Sequence, residues 1–165
     1  IRSLSIGQGE ILVTPLQLAN QAAAIANKGY YITPHLNRND SMKSAIHQTS
    51  VDSCYFDVVH RGMERVMTDG TGRWYNIADL HICGKTGTVQ NPHGEDHALF
   101  IGFAPKDDPQ IAVAVAVENA GCGATWACPM ATLLIEQYLT GEIKRKSLYN
   151  RMATANLIDK EDEQE

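Results

Sequence analysis

Apolar residues recur along this chain first at helical and then at strand spacing, with the changeover near residue 70. Leu16, Ala19, Ala22, Ala23 and Ala26 share one helical face. Thr14 is a natural N-cap, Pro15 suits the first helical position, Gln17 completes a capping box, and Gly29 can end the helix in a left-handed conformation. So many alanines on one face imply close approach to another element. The preceding Ser5-Ile-Gly-Gln-Gly9 loop lacks the glycine spacing of a phosphate cradle. Tyr30 to Leu36 reads as a short extended stretch stopped by Pro34, and Asn37 to Thr49 as a polar surface loop. A second helix is predicted from about Val51 to Met67, capped by Ser50 or Asp52 and stopped at Asp69-Gly70. Tyr55, Val59, Met63, Val66 and Met67 form its expected buried face.

Past Leu80 the period shortens to two. Ile82 to Gln90, Ala98 to Phe103 and Gln110 to Glu118 read as three strands, joined by connections short enough for antiparallel neighbours. Ile111 to Val117 carries large side chains on one face and alanine on the other, which predicts a strand covered on both sides with a helix pressed against the alanines. A last helix has Pro129 in its first turn, apolar positions at Leu133, Leu134, Ile135, Tyr138 and Leu139, and Gly141 at its end. From Lys144 the sequence turns polar and charge-segregated. The domain is therefore expected over 1–143, with 144–165 as a disordered tail.

Composition narrows the class without choosing a function. At 44 % hydrophobic and 20 % charged residues, the chain has an ordinary globular balance. No uninterrupted apolar run approaches the roughly 20 residues that a membrane span needs. The net charge of −5 comes mostly from Asp159 to Glu165, which holds five acidic residues and one lysine. The rest is near neutral, so no basic stripe suggests a nucleic-acid partner. Cys54, Cys83, Cys122 and Cys128 have no zinc-site spacing and are expected to be free and mostly buried, although Cys122 and Cys128 are close enough to pair in an oxidising compartment. His93 and His97 are four apart but fall on a turn and a strand start, so hydrogen bonding rather than metal binding is expected.

The chemistry concentrates at Lys85-Thr86-Gly87-Thr88, on the first strand. Alternation puts Lys85 with Gly87 and Thr86 with Thr88, so a twist or bulge is expected to bring the set to one cleft. Gly84 and Gly87 permit a peptide backbone to approach and pair with the strand edge. The ammonium of Lys85 and the hydroxyls of Thr86 and Thr88 can hold a carboxylate, and a main-chain N–H beyond Gly87 can meet an oxyanion. No serine in the chain has Lys three residues on or Asn two residues on. The chain also begins at Ile1 rather than Met. Set against the resemblance described next, these absences imply a C-terminal fragment of an acyl-transfer enzyme, carrying the substrate strand but not the nucleophile.

Several ordered motifs extend the picture. Ser5-Ile-Gly-Gln-Gly9, Val13-Thr-Pro-Leu-Gln-Leu-Ala19, Gly70-Thr-Gly72, Gly84-Lys-Thr-Gly-Thr88, Asp96 to Pro105 and Ile111 to Asn119 together resemble class B penicillin-binding proteins, most closely the elongation-type penicillin-binding protein 2 group. Thr86 stands where division-type members usually have serine. The resemblance implies an α+β fold, the C-terminal portion of a serine β-lactamase/transpeptidase-like architecture, with about three antiparallel strands flanked by helices. It implies a peptidoglycan D,D-transpeptidase whose Ser-x-x-Lys and Ser-x-Asn motifs lie upstream, so that this piece alone is inactive and forms no penicillin adduct. On that pattern Lys85 assists proton transfer and carboxylate binding, Thr86 and Thr88 bind the carboxylate, and the Thr88 N–H forms half of an oxyanion hole. Gly87 and Gln90 belong to the substrate-binding strand.

The implied partners are D-Ala-D-Ala stem peptides, β-lactams and a membrane glycosyltransferase of the elongation machinery, with no cofactor. The implied location is the periplasmic face of the bacterial inner membrane, with the anchor upstream. Two other readings stay open at this point: a carboxypeptidase or β-lactamase using water as acceptor, and a non-catalytic domain that binds or senses β-lactam or stem peptide.

Overall fold

The computed structural model describes residues 4–35 and 45–157. Helix α1 (Pro15–Ala26) opens with the expected capping box: the Gln17 N–H donates to Thr14 Oγ1 at 3.3 Å, and the Thr14 N–H donates to Gln17 Oε1 at 2.8 Å. Its end comes through two positive-φ residues, Lys28 at 55° and Gly29 at 112°. The left-handed turn thus starts one residue earlier than Gly29.

Strand β1 (Tyr30–Ile32) then pairs antiparallel with β2 (Ile46–Gln48). The second strand falls inside the expected surface loop, whose remaining residues to Ser44 lie outside the described residues. Its sequence, Ile-His-Gln, is too short and polar to show a period. The pairing with β1 and the Thr33 Oγ1–His47 Nε2 bond at 2.8 Å make it a strand.

Helix α2 (Cys54–Thr68) starts later than expected, with Ser53 as an N-cap that makes no side-chain bond; Asp52 instead accepts from the Cys54 N–H at 2.9 Å. Its buried stripe is Phe56, His60, Met63 and Met67. Tyr55 and Val59 face outward, a correction of one position. The error came from His60, which is polar yet buried. Its Nε2–H donates to the Ile25 carbonyl at 2.7 Å, and its ring packs 4.9 Å from that of Phe103. A satisfied imidazole is inexpensive to bury, whereas hydropathy alone places Val59 inside.

The main sheet is antiparallel in the order β3 (Cys83–Val89), β4 (His97–Ala104), β5 (Ile111–Val117). Its register is continuous from Cys83↔Phe103 to Val89↔His97 and from Ala98↔Val117 to Ala104↔Ile111. One face carries Phe100, Ala98 and Val113 and packs on α3 (Ala127–Thr140) through Ala127, Cys128, Ala131 and Ile135. The opposite face carries Cys83, Phe103 and Ala112 and packs on α1 and α2 through Ile25, Ala26 and Met63. The β5 alanines thus admit α1 closely, as their pattern implies. Leu134 and Tyr138 of α3 point outward.

The polar C-terminal segment is not a simple tail. Residues Lys146–Thr154 form helix α4, which has no buried residue of its own. It is held at both ends instead. Arg145 Nε donates to Glu136 Oε2 at 2.9 Å, the Lys144 N–H donates to Glu136 Oε1 at 3.1 Å, and Leu157 packs against the α3-side core. A helix anchored at its termini shows no apolar stripe, so its polarity was misleading. Residues 158–165 lie outside the described residues.

Candidate active site at the free edge of β3

Among the described residues β3 is an edge strand, with β4 on one side only. Side-chain donors reveal which main-chain groups lie on the other side. Lys85 Nζ donates to the Thr86 carbonyl at 2.6 Å, and Gln8 Nε2 donates to the Thr88 carbonyl at 3.4 Å. In an antiparallel ladder the N–H and C=O of one residue share an edge. The N–H groups of Thr86 and Thr88 therefore also point away from β4, at the free edge.

Of the expected twist or bulge, the bulge is absent, since seven consecutive pairs join β3 to β4 in register. Alternation is preserved, and the length of one side chain overcomes it. Lys85 starts on the α1 side of the sheet, but its flexible four-carbon stem carries the ammonium over the strand edge to Thr86. Thr86 and Thr88 share the other face, and each hydroxyl is held by a different connection. Thr71 Oγ1 and Thr86 Oγ1 share a hydrogen bond at 2.8 Å, and the Gly123 N–H donates to Thr88 Oγ1 at 3.2 Å.

Glycines make both contacts possible. Gly70 and Gly72 sit against Val66 and Met67 at the end of α2, where a Cβ on Gly70 would lie 2.8 Å from the Val66 Cα. A Cβ on Gly123 would collide with the carbonyl oxygens of Gly87 and Leu99. Only glycine lets the β5–α3 loop descend onto the backbone of the site strand. Gly87 is half-buried, a Cβ there lying 3.2 Å from the Leu99 Cβ, and Gln90 is exposed just past the strand end.

A polar weave closes the far end of the strand. Asn91 Nδ2 donates to Asn119 Oδ1 at 2.8 Å, the Asn119 N–H to His97 Nδ1 at 3.0 Å, and the Gly121 N–H to the Asp96 carbonyl at 2.6 Å. His97 is thus a hydrogen-bond acceptor. Among the described residues no group of three or more His, Cys, Asp or Glu side chains is arranged for a metal ion. All four cysteines are free, two buried and two exposed. Burial pushes the thiols of Cys83 and Cys128 up to about 12, so neither supplies a thiolate near neutral pH.

Of the residues singled out beforehand, Lys85, Thr86, Gly87 and Thr88 meet along one edge. Three contributors were missed: Thr71, Gly123 and Gln8. Thr71 stands between two glycines, and Gly123 belongs to a Gly-Cys-Gly loop. Close glycine pairs of this kind are the available signal for a tight backbone approach.

Comparison with known proteins places this edge in a wider context. The family model described as the penicillin binding protein transpeptidase domain matches residues 1–134. The peptidoglycan D,D-transpeptidase MrdA of Haemophilus influenzae is 32 % identical, over 90 % of this chain and 27 % of that protein. The chain thus spans about a quarter of the length of this relative. The crystal structure of Pseudomonas aeruginosa PBP2 in complex with WCK 5153 is 38 % identical with a TM-score of 0.71, covering 87 % of this chain and 34 % of that one. Penicillin-binding protein A of M. tuberculosis, solved as an imipenem acyl-enzyme complex, is 32 % identical with a TM-score of 0.73, covering 83 % and 33 %. With motif order, sheet register and a match over most of its length in agreement, the chain belongs to the penicillin-binding protein transpeptidase domain family, among the PBP2/MrdA-type class B members.

Proposed function

We propose that this chain is the C-terminal part of the transpeptidase domain of a peptidoglycan D,D-transpeptidase, and that it supplies the substrate-binding strand and half of the oxyanion hole. The observation that carries this reading is the free edge of β3. It presents the main chain of Thr86 and Thr88 to the cleft, with the Lys85 ammonium beside it. A stem peptide ending in D-Ala-D-Ala lies along this edge as an added strand. Lys85, Thr86 and Thr88 hold its terminal carboxylate, Gly87 lets the peptide come close, and Gln90 contacts it further along.

In the reaction a serine from the upstream part of the protein attacks the penultimate D-Ala carbonyl carbon. The developing oxyanion is met by the Thr88 N–H, a placement typically worth about 3 kcal/mol. The C–N bond breaks, and the proton given up by the serine hydroxyl passes by way of the Lys85 side to the amine of the leaving D-Ala. The amine of a second stem then attacks the ester carbon, the C–O bond to serine breaks, and the amine proton returns to the serine oxygen. β-Lactams acylate the same serine. The domain works at the periplasmic face of the inner membrane, beside a glycosyltransferase that supplies glycan strands.

The test is intact-protein mass after penicillin treatment. The full-length protein should gain one adduct on a serine followed by x-x-Lys, and the 165-residue chain alone should gain none. Lys85→Ala should slow acylation of the full-length protein by about a hundredfold, and Thr88→Val, which keeps the main-chain N–H and loses only the hydroxyl, by about tenfold. An adduct on any residue of this chain, or wild-type rates in both variants, would refute the assignment.

A further inference from the structure

At the free edge of β3 the carbonyls of Thr86 and Thr88 are each met by a side-chain donor, with unequal strength. The Lys85 ammonium reaches the Thr86 carbonyl at 2.6 Å, a short charge-assisted bond. The Gln8 carboxamide reaches the Thr88 carbonyl at 3.4 Å, longer than a neutral N–H donor usually stands, and in an exposed position. A bond of that length is readily exchanged for a better one. The backbone nonetheless sets Gln8 there. Gly7 and Gly9 on either side both stand at φ 77°, and the Gly7 N–H closes a turn on the Leu4 carbonyl at 3.1 Å. A Cβ on Gly7 would meet nothing within 4 Å, so conformation and not crowding calls for glycine. The loop thus brings one polar side chain to the strand edge across 80 residues of sequence.

The carbonyl that Gln8 covers is the one an acyl donor needs. In an antiparallel pair, residues that face each other across the bonded positions exchange both hydrogen bonds. A peptide residue whose carbonyl accepts from the Thr88 N–H therefore brings its own N–H to the Thr88 carbonyl. For a stem peptide bound for transfer, that residue is the penultimate D-Ala, the one under attack. Its N–H and Gln8 Nε2 aim at the same oxygen. A strand laid along this edge also takes the space from which Gln8 approaches.

We propose that Gln8 is a specificity-determining residue of the acyl-donor site, holding the Thr88 carbonyl until the N–H of the residue under attack displaces it. This rests on the transpeptidase reading above and extends it. Acyl donors then divide into two kinds. A donor with an N–H opposite Thr88 must move Gln8 before its own bond forms. A donor without that N–H leaves Gln8 in place, and the carbonyl keeps a partner that it would otherwise lose beneath the ligand. Gln8 therefore narrows the difference between the two kinds, and its removal widens it.

The experiment uses the full-length protein and two thioester donors, followed by release of the thiol. One is an N-acyl-D-alanyl thioglycolate, and the other is its counterpart with an ester oxygen in place of the D-Ala N–H. Gln8→Met keeps the length of the side chain and loses the donor, while Gln8→Ala loses both. A penicillin adduct in each variant reports a folded, reactive domain. Gln8→Met should raise kcat/KM for the amide donor about threefold and lower it for the ester donor about threefold, the difference one neutral hydrogen bond makes. The preference for the amide donor should thus rise about tenfold, and equally in Gln8→Ala. A parallel fall with both donors would make Gln8 a brace of the strand and overturn the proposal. An unchanged preference, or one that changes in Gln8→Ala alone, overturns it as well. Absence of a penicillin adduct in the wild type overturns the transpeptidase reading, and the role of Gln8 with it.

Discussion

The two edges of β3 are built in opposite ways. Toward β4 the strand is sealed by seven paired residues, with the Phe100 ring seated directly over Gly84 and the Gly123 backbone pressed onto Gly87 and Leu99. Toward the cleft, single side chains hold it, one from the strand itself and two from distant segments: Lys85 on Thr86, Gln8 on Thr88 and Thr71 on the Thr86 hydroxyl. The closed side supplies rigidity, and the open side keeps main-chain donors free for a ligand. Pre-organised donors need such backing, because a site loses its advantage once its groups must reorganise to meet the developing charge. Damage to the closed side should therefore appear as lost stability, and damage to the open edge as lost chemistry.

The largest expected effect lies behind the closed side, on α3, which packs on the sheet. Glu136 is only 5 % exposed and is the counter-ion of Arg145. Glu136→Ala leaves that guanidinium buried without its carboxylate and should cost about 4 kcal/mol in chemical denaturation. A loss below about 1 kcal/mol would mean that α4 is not anchored there. Gly123→Ala comes next, at about 3 kcal/mol, since the new methyl meets two backbone carbonyls that cannot rotate aside. It should also slow penicillin acylation by releasing Thr88. A full loss of stability with unchanged acylation would show that the loop and the site are independent.

Alkaline pH probes the closed side through its two buried thiols. Their pKa values are raised from 9.0 to about 12 by burial, so between those values the unfolded chain sheds protons that the folded chain keeps. Stability from this source is intact below pH 9 and falls as pH rises toward 12, by about 1.4 kcal/mol per thiol at pH 10. A Cys83→Ala, Cys128→Ala double variant should have a flatter stability profile above pH 9, and an identical profile would contradict the burial. At neutral pH a disulfide reagent should label Cys54 and Cys122 quickly and the other two only on unfolding. The smallest stability effect belongs to the open edge. Thr71→Val removes an exposed hydroxyl pair, which should change stability by less than about 1 kcal/mol while slowing acylation about tenfold. A larger stability loss than activity loss would reverse the contrast between the edges.

Much of this arrangement was legible in the linear chain, for identifiable reasons. The α1 capping box, the left-handed residue at Gly141 and the two-sided pattern of β5 depend on neighbours within a few positions, and each appears where its local chemistry places it. The Lys85 to Thr88 edge was legible because strand alternation and residue chemistry are both local. Misreadings occurred where a polar residue found a distant partner. His60 turns inward because the Ile25 carbonyl, thirty-five residues away, accepts its proton. Helix α4 forms because Arg145 reaches Glu136 and Tyr75, and no apolar stripe announces it.

By itself the sequence determined the α1 capping box, the stop at Gly141, the three strands of the main sheet and the identity of the motif strand, since propensity and periodicity act over a single turn or a few strand residues. Tertiary structure alone decided which edge of β3 is free, that Thr71 and Gly123 brace its two threonines, and that Arg145 ties the start of α4 to the Tyr75 carbonyl. Those features join residues 71 with 86, 88 with 123 and 75 with 145. Contacts at such separations exist only after the sheet and helices have packed, because the entropy of closing those loops is repaid by the core as a whole and not by any local signal.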